Sequence, residues 1–375
     1  MTFQFSLTFI SATLLFAACS KAPTDVAVDN KSSDTTAYVV SRPQEIIKPV
    51  LSTDTVQFDT DDPAFWINEK DSSQSLIIGT DKDQNGGLYV FDLKGKIQRD
   101  KTVKGLKRPN NVDVEYGMVI GGKSVDIAVV TERFTHKLRV FSLPDMKAID
   151  HGGLPVFEGE TGELFRDLMG VALYKDSKAN VYAIVGRKRG PTEGSYLWQY
   201  KLEDAGKGSV KATLVRKFGK YSGKKEIESI AVDDELGYVY YSDEGVGVHK
   251  YYADPEKDTS ELALFATTGF TEDHEGISIY NAGDGTGYIL VSDQGANQFF
   301  IFTREGSLNN PHDHQLLKVV KTSTLESDGS DVTNLSLNSD FKNGLFVAMS
   351  TNKTFQYYRW EDIAGRDLKV KTKLP

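Results

Sequence analysis

One short unit recurs six times along the chain: an apolar strand ends in a polar tag, a turn follows, and an aromatic-rich strand returns. The copies are SLIIGTDK with GLYVFDL, DIAVVTER with KLRVFSL, YAIVGRK with YLWQYKL, YVYYSDE with VGVHKYY, YILVSDQ with QFFIFTR, and FVAMSTN with FQYYRW. The last tag residues are Lys82, Arg133, Lys188, Glu244, Gln294 and Asn352, spaced 50 to 58 positions apart. Apolar residues alternate within the copies, which is the period of a strand. A unit of this length with several strands buries its faces only against its neighbours. The expected fold class is therefore all-β, a six-bladed β-propeller. Residues 46–58, which include VLSTDTVQF, are expected to supply the closing strand of the last blade.

Each unit also contains an earlier strand, taken as the innermost. These strands begin DDPAFW, NNVDV, MGVAL, ESIAV, EGISI and TNLSL. Aligning them places Asp61, Asn110, Met169, Glu228, Glu275 and Thr333 at one equivalent position, and equivalent inner-strand positions converge near a propeller axis. Asp62 and Asp273 flank this ring, and Asp328 and Asp331 lie just before the last inner strand. Converging carboxylates repel unless a cation sits among them or some take up protons. Hard oxygen donors without a His or Cys cluster favour Ca²⁺ over zinc. The alternative is a set of solvated strand-end acids. The tags are polarised as well. Lys82, Arg133 and Lys188, with Arg187 and Arg189 beside the last, occupy the first three units, and Glu244, Gln294 and Asn352 the other three. A mouth of that kind suits a polyanion held by bases on one side and by metal on the other.

A net charge of −9 argues against a nucleic-acid partner, which would need dense Lys and Arg. Residues 6–18, SLTFISATLLFAA, have the length and apolarity of a signal peptide, and Cys19 follows at once in a run similar to a bacterial lipobox. An ordinary cleaved signal is the alternative, since Phe16 is bulky and no Lys or Arg precedes the apolar run. The expected organisation is a signal peptide over 1–18, a lipidated N-terminus and tether over 19–45, and the propeller over 46–375. The protein is thus expected to be exported and anchored to a bacterial membrane through the lipid alone, as a monomer. Cys19 is the only cysteine, which excludes an intrachain disulfide. Asp81, Asp83, Asn85, Gly86 and Asp92 partly match an EF-hand loop but read as a hairpin turn, as does GDGTG at 283–287.

DDPAFW (61–66), NNVDV (110–114), ESIAVDDELGYVYYSDE (228–244) and DHEGISIYNAGDGTGYILVSDQG (273–295) resemble the signatures of the β-propeller phytases, in order, between about residues 46 and 370. The resemblance implies a calcium-dependent phosphomonoesterase. It would convert phytate, myo-inositol hexakisphosphate, to lower inositol phosphates and phosphate by direct attack of a metal-bound water. Several Ca²⁺ ions would be held by Asp61, Glu228, Glu244, Asp273, Glu275 and Gln294, with Asn110, Asn111, Asp328 and Asp331 in the same role. Lys82, Arg133 and Lys188, with Arg187, would bind phosphate, and Glu228, Lys82 and Arg133 would act in catalysis. Met169 stands where some members carry tyrosine, and Asp83 where some carry lysine. Two other functions fit a six-bladed propeller: a calcium-dependent lactonase and a non-catalytic ligand-binding surface lipoprotein.

Overall fold

The computed structural model describes residues 45–371, so the apolar run, Cys19 and the tether up to residue 44 lie outside the described residues. Six antiparallel sheets form six blades. Their inner strands are Thr60–Trp66, Pro109–Ile120, Leu168–Lys175, Ile230–Asp233, His274–Gly283 and Ser330–Thr333. Each inner strand packs against the next, and the last packs against the first, so the ring closes. Among the described residues one α-helix is present, the short Trp360–Ala364.

The closing strand is where the sequence placed it. Leu51–Ser52 pair antiparallel with Gln356 and Tyr357, completing the sixth blade from the N-terminal side. Just before it, Ile46–Ile47 pair in parallel with Lys321 and Thr322 and extend the fifth blade to five strands. The N-terminal segment thus ties two blades together and covers edges that would otherwise be open to other chains. Core packing lies between blades. Phe65, Ile77 and Phe91 of the first blade bury against Val347, Met349 and Phe355 of the sixth.

The same irregularity recurs at one end of the inner strands. Thr60 pairs with Asp81 but Pro63 with Gly79; Pro109 pairs with Glu132 but Val112 with Val130. Leu168 with Arg187 then Val171 with Val185, and His274 with Asp293 then Ile277 with Val291, repeat it. Two inner residues oppose one, which is a β-bulge, a device that re-aims side chains. In the fourth and sixth blades Ser242 N donates to Ser229 O at 3.1 Å and Met349 N to Gly329 O at 2.9 Å, in the same arrangement. The first bulge residues are therefore Asp61, Asn110, Met169, Glu228, Glu275 and Asp328. This corrects the sequence alignment in the sixth blade. Thr333 pairs with Leu345 at the far end of its strand, and Asp328 takes the ring position. The matching tag is Thr351, whose N–H bonds Leu325 O at 3.0 Å as Lys82 N bonds Asp59 O at 2.7 Å, and Asn352 lies beyond it. Glycine follows the ring residue in the third, fifth and sixth blades for steric reasons. A Cβ on Gly170 would come within 2.5 Å of Glu228 O, and one on Gly276 within 2.7 Å of Asp328 O.

Candidate active site

The bulges bring carboxylates from the first, fourth, fifth and sixth blades to one mouth: Asp61, Glu228, Glu275 and Asp328. Loop and tag residues Glu226, Glu244 and Asp273 join them. One oxygen each of Glu226, Glu228 and Glu244 lie within 4.8 Å of one another, and so do those of Glu244, Asp273 and Glu275. Glu244 belongs to both groups. Glu275 Oε2 is buried with no hydrogen-bond partner, and so is Asp61 Oδ2. Gln294 Nε2 donates to Asp328 Oδ1 at 2.5 Å.

Crowding shows in the acidities. Burial first, then the charges of Glu228, Asp328, Glu244 and Asp273, push Glu275 well above the carboxylate range. Burial and the neighbouring Glu228, Asp273 and Glu226 push Glu244 up to about 8, with Lys225 opposing. Asp61 is raised by burial, against the pull of Lys82. Burial also opposes the charge on Lys82, but Asp61, Asp328 and Glu228 outweigh it and hold its pKa above that of an ordinary lysine. Repulsion among converging carboxylates of this kind is what a bound cation would relieve.

The bases do not simply face the acids. Lys82 Nζ lies 2.5 Å from Asp61 Oδ1 and 2.8 Å from Asp328 Oδ2, inside the acidic ring. Lys188 Nζ lies 2.6 Å from Glu226 Oε1. Arg133 is buried. Its Nε donates to Leu168 O at 3.0 Å, and its Nη2 contacts Asn110 Oδ1 and Met169 Sδ. Asn110 Nδ2 donates to Asn111 Oδ1 and to Glu228 Oε1, both at 2.9 Å. Asn110 therefore turns its oxygen to Arg133 and its nitrogen to Glu228, bridging base and acid rather than offering its oxygen to a cation.

Three expected site residues, Arg187, Asp331 and Asn111, lie elsewhere. Arg187 is 0% exposed; its guanidinium bonds Tyr196 O, Phe165 O, Ser195 O and Glu160, and it stacks 4.5 Å from the Phe157 ring centroid. It is the last residue of the second strand, and that strand position points outward to the preceding loop. Its counterparts behave alike: Asp81 accepts from Phe58 N and Asp59 N, and Asp243 from Ser222 N. Asp331 sits below the mouth, where Oδ2 accepts from Phe65 N at 3.0 Å and Oδ1 from Val332 N at 2.7 Å. It lines a central cavity of about 140 Å³ with Asp62, Asn111 and Asp113. Asn111 is the second bulge residue and faces this cavity.

Sequence patterns missed Lys225 and Glu226 on the loop before the fourth inner strand, although Glu226 precedes Glu228 by two residues as Asp273 precedes Glu275, and its carbonyl accepts from the tag N–H of Glu244 as that of Asp59 accepts from Lys82. The signal for Asp328 was present: an acid followed by glycine, as in Glu275–Gly276. His274 is structural, stacked on Phe270 with centroids 3.9 Å apart and bonded to Ala266 O at 2.7 Å. The EF-hand-like run forms hairpin turns, with Asn85 N on Asp83 Oδ1 at 2.9 Å and Asp92 in a separate turn accepting from Lys94 N at 2.9 Å.

A family model described as Phytase matches residues 5–370 of the chain. A 3-phytase of Bacillus subtilis (strain 168) is 31% identical over 335 residues, covering 84% of this chain and 82% of the relative.

Proposed function

The chain belongs to the phytase family, and on that premise we propose that it releases phosphate from phytate at this mouth, with calcium held by the acidic arc. The observation that carries the calcium reading is the pair of carboxylate groups sharing Glu244, beside the buried and unpartnered Glu275 Oε2. All the donors are hard oxygens, which suits Ca²⁺. Glu226, Glu228, Glu244, Asp273 and Glu275 would hold the ions, with Asp61 and Asp328 beside them. Bound there, calcium supplies positive charge that lowers the pKa of water and offsets charge on phosphoryl oxygens.

The protein's own groups do the rest. Arg133 is held in place before substrate arrives by Leu168 O and Asn110, so its charge meets a phosphoryl group with little reorganisation. Lys188 and Lys82 add donors from the adjacent blades. Glu228, steadied by Asn110 Nδ2 at 2.9 Å, orients the attacking water in line with the leaving oxygen. Water attacks phosphorus directly. The P–O bond to the inositol breaks, and the alcohol leaves with a proton. A mouth lined by a buried arginine and two lysines favours a polyanion over a neutral lactone. Phosphate release from phytate, measured with calcium and with excess chelator, tests the reading. Release only with calcium is expected; equal release under both conditions would remove the metal from the reaction.

The same proposal includes export, with residues 1–18 removed, Cys19 lipidated, residues 19–45 as tether, and the propeller acting as a monomer. Mass spectrometry of the mature N-terminus should show a lipid on Cys19, and Cys19→Ala should move the protein from the membrane to the soluble fraction. An unmodified Cys19 would refute the anchor.

A further inference from the structure

Lys225 lies on the loop between the third and fourth blades, three residues before Glu228. Its ammonium pairs with Asp273 Oδ1, across the boundary between the fourth and fifth blades. Asp273 belongs to the carboxylate group with Glu244 and Glu275. The charges of Glu244 and Glu272 add to the pull on Lys225.

Its backbone and its side chain are held very differently. The Tyr221 hydroxyl donates to Lys225 O, and the Tyr221 ring packs on Tyr196 with centroids 4.6 Å apart. Ser222 donates through both N and Oγ to Asp243, each at 2.7 Å. Glu244 N donates to Glu226 O at 3.0 Å. The loop is pinned on both sides of the residue. The side chain of Lys225 is 52% exposed and has one partner, whereas that of Lys82 is 14% exposed and gripped by two. A lysine on a flexible four-carbon stem with a single exposed partner can leave it readily.

We propose that Lys225 is a tethered counter-cation that competes with metal for Asp273 and so sets the calcium concentration at which the acidic arc fills. The inference rests on the calcium reading above. A metal ion that takes Asp273 Oδ1 as its ligand displaces Lys225 from that oxygen, and one held by Oδ2 still meets the repulsion of the ammonium beside it. Its charge then remains near the arc and opposes further cation entry. At low calcium Lys225 offsets part of the repulsion among Glu244, Asp273 and Glu275 and keeps the mouth assembled.

The test is calcium titration by calorimetry, with melting curves at each calcium level, on wild type, Lys225→Met and Lys225→Arg. Lys225→Met should lower the half-saturating calcium roughly three- to tenfold, since a like charge close to the metal is removed. It should also lower the melting temperature in chelator while leaving it unchanged at saturating calcium. Lys225→Arg should restore the wild-type threshold. If wild type binds calcium and Lys225→Met binds it no more tightly, the role of Lys225 is refuted while the metal centre stands. If wild type binds no calcium, the calcium reading and the inference built on it fall together.

Discussion

The six inner strands carry two tiers of carboxylates with opposite fates. In the lower tier, Asp331 Oδ2 accepts from Phe65 N at 3.0 Å, Asp62 Oδ2 from Val112 N at 3.0 Å, and Asp113 Oδ2 from Leu173 N at 2.7 Å. Each of these acids bonds the backbone of the next blade, so each is a strut that holds the ring in register. In the mouth tier, Glu275 Oε2 and Asp61 Oδ2 are buried without partners. The residue types are the same and the tiers lie a few residues apart. What differs is whether a backbone N–H points at the carboxylate. The bulge turns the upper acids away from the sheets, and acidity left unanswered by the fold is available to a ligand.

Substitutions should separate the tiers. The largest effect is expected from Glu228→Gln in the mouth, which keeps shape and removes one charge. Turnover on phytate should fall roughly 10²-fold or more, the scale of lost metal activation and water positioning, with the melting temperature nearly unchanged. Unchanged steady-state kinetics would refute its role. Asp331→Ala should do the reverse. It strips acceptors from Phe65 N and Val332 N and should cost about 1–3 kcal/mol of stability in denaturant titration, with calcium affinity unaltered. Weakened calcium binding with intact stability would move Asp331 into the metal site.

Arg133→Lys comes next. It keeps the charge but loses the fork that spans Leu168 O and Asn110, so KM for phytate should rise about tenfold, or about 1.4 kcal/mol. A KM equal to wild type would show that Arg133 is only structural. The smallest expected effect is on pH dependence in chelator. Glu244 is pushed up to about 8 by burial and by Glu228, above its ordinary value. A raised carboxylate adds stability that is complete below its unfolded pKa and is lost as pH rises through its folded pKa. The metal-free protein should therefore lose a few degrees of melting temperature between about pH 5 and 8. Saturating calcium should abolish that slope, and an identical slope with and without calcium would mean that no cation binds among these acids.

Much of this protein is legible in the order of its residues. Six strand–tag–strand units announce six blades, because strand alternation and the spacing of the tags record the core that each blade shares with its neighbours. The closing strand at Leu51–Ser52 is legible too, since a ring of repeats needs one strand from the far end of the chain. So is the meeting of Asp61, Glu228 and Glu275 with Lys82 and Arg133, which follows from equivalent positions in a ring. Tertiary structure decided the rest. A period of two says which face a side chain takes but not which end of the strand is the mouth, and so Thr333 and Asp328 were exchanged in the sixth blade. It also cannot say whether a charged side chain turns to the axis or to its own loop, which set Arg187 against Phe157 and Glu160 rather than in the mouth. Asp331 became a strut and Glu275 was left without a partner because the neighbouring blade aims a backbone N–H at one and not at the other. Those donors come from chain segments as far as 266 residues away, a relation that exists only once the ring has closed.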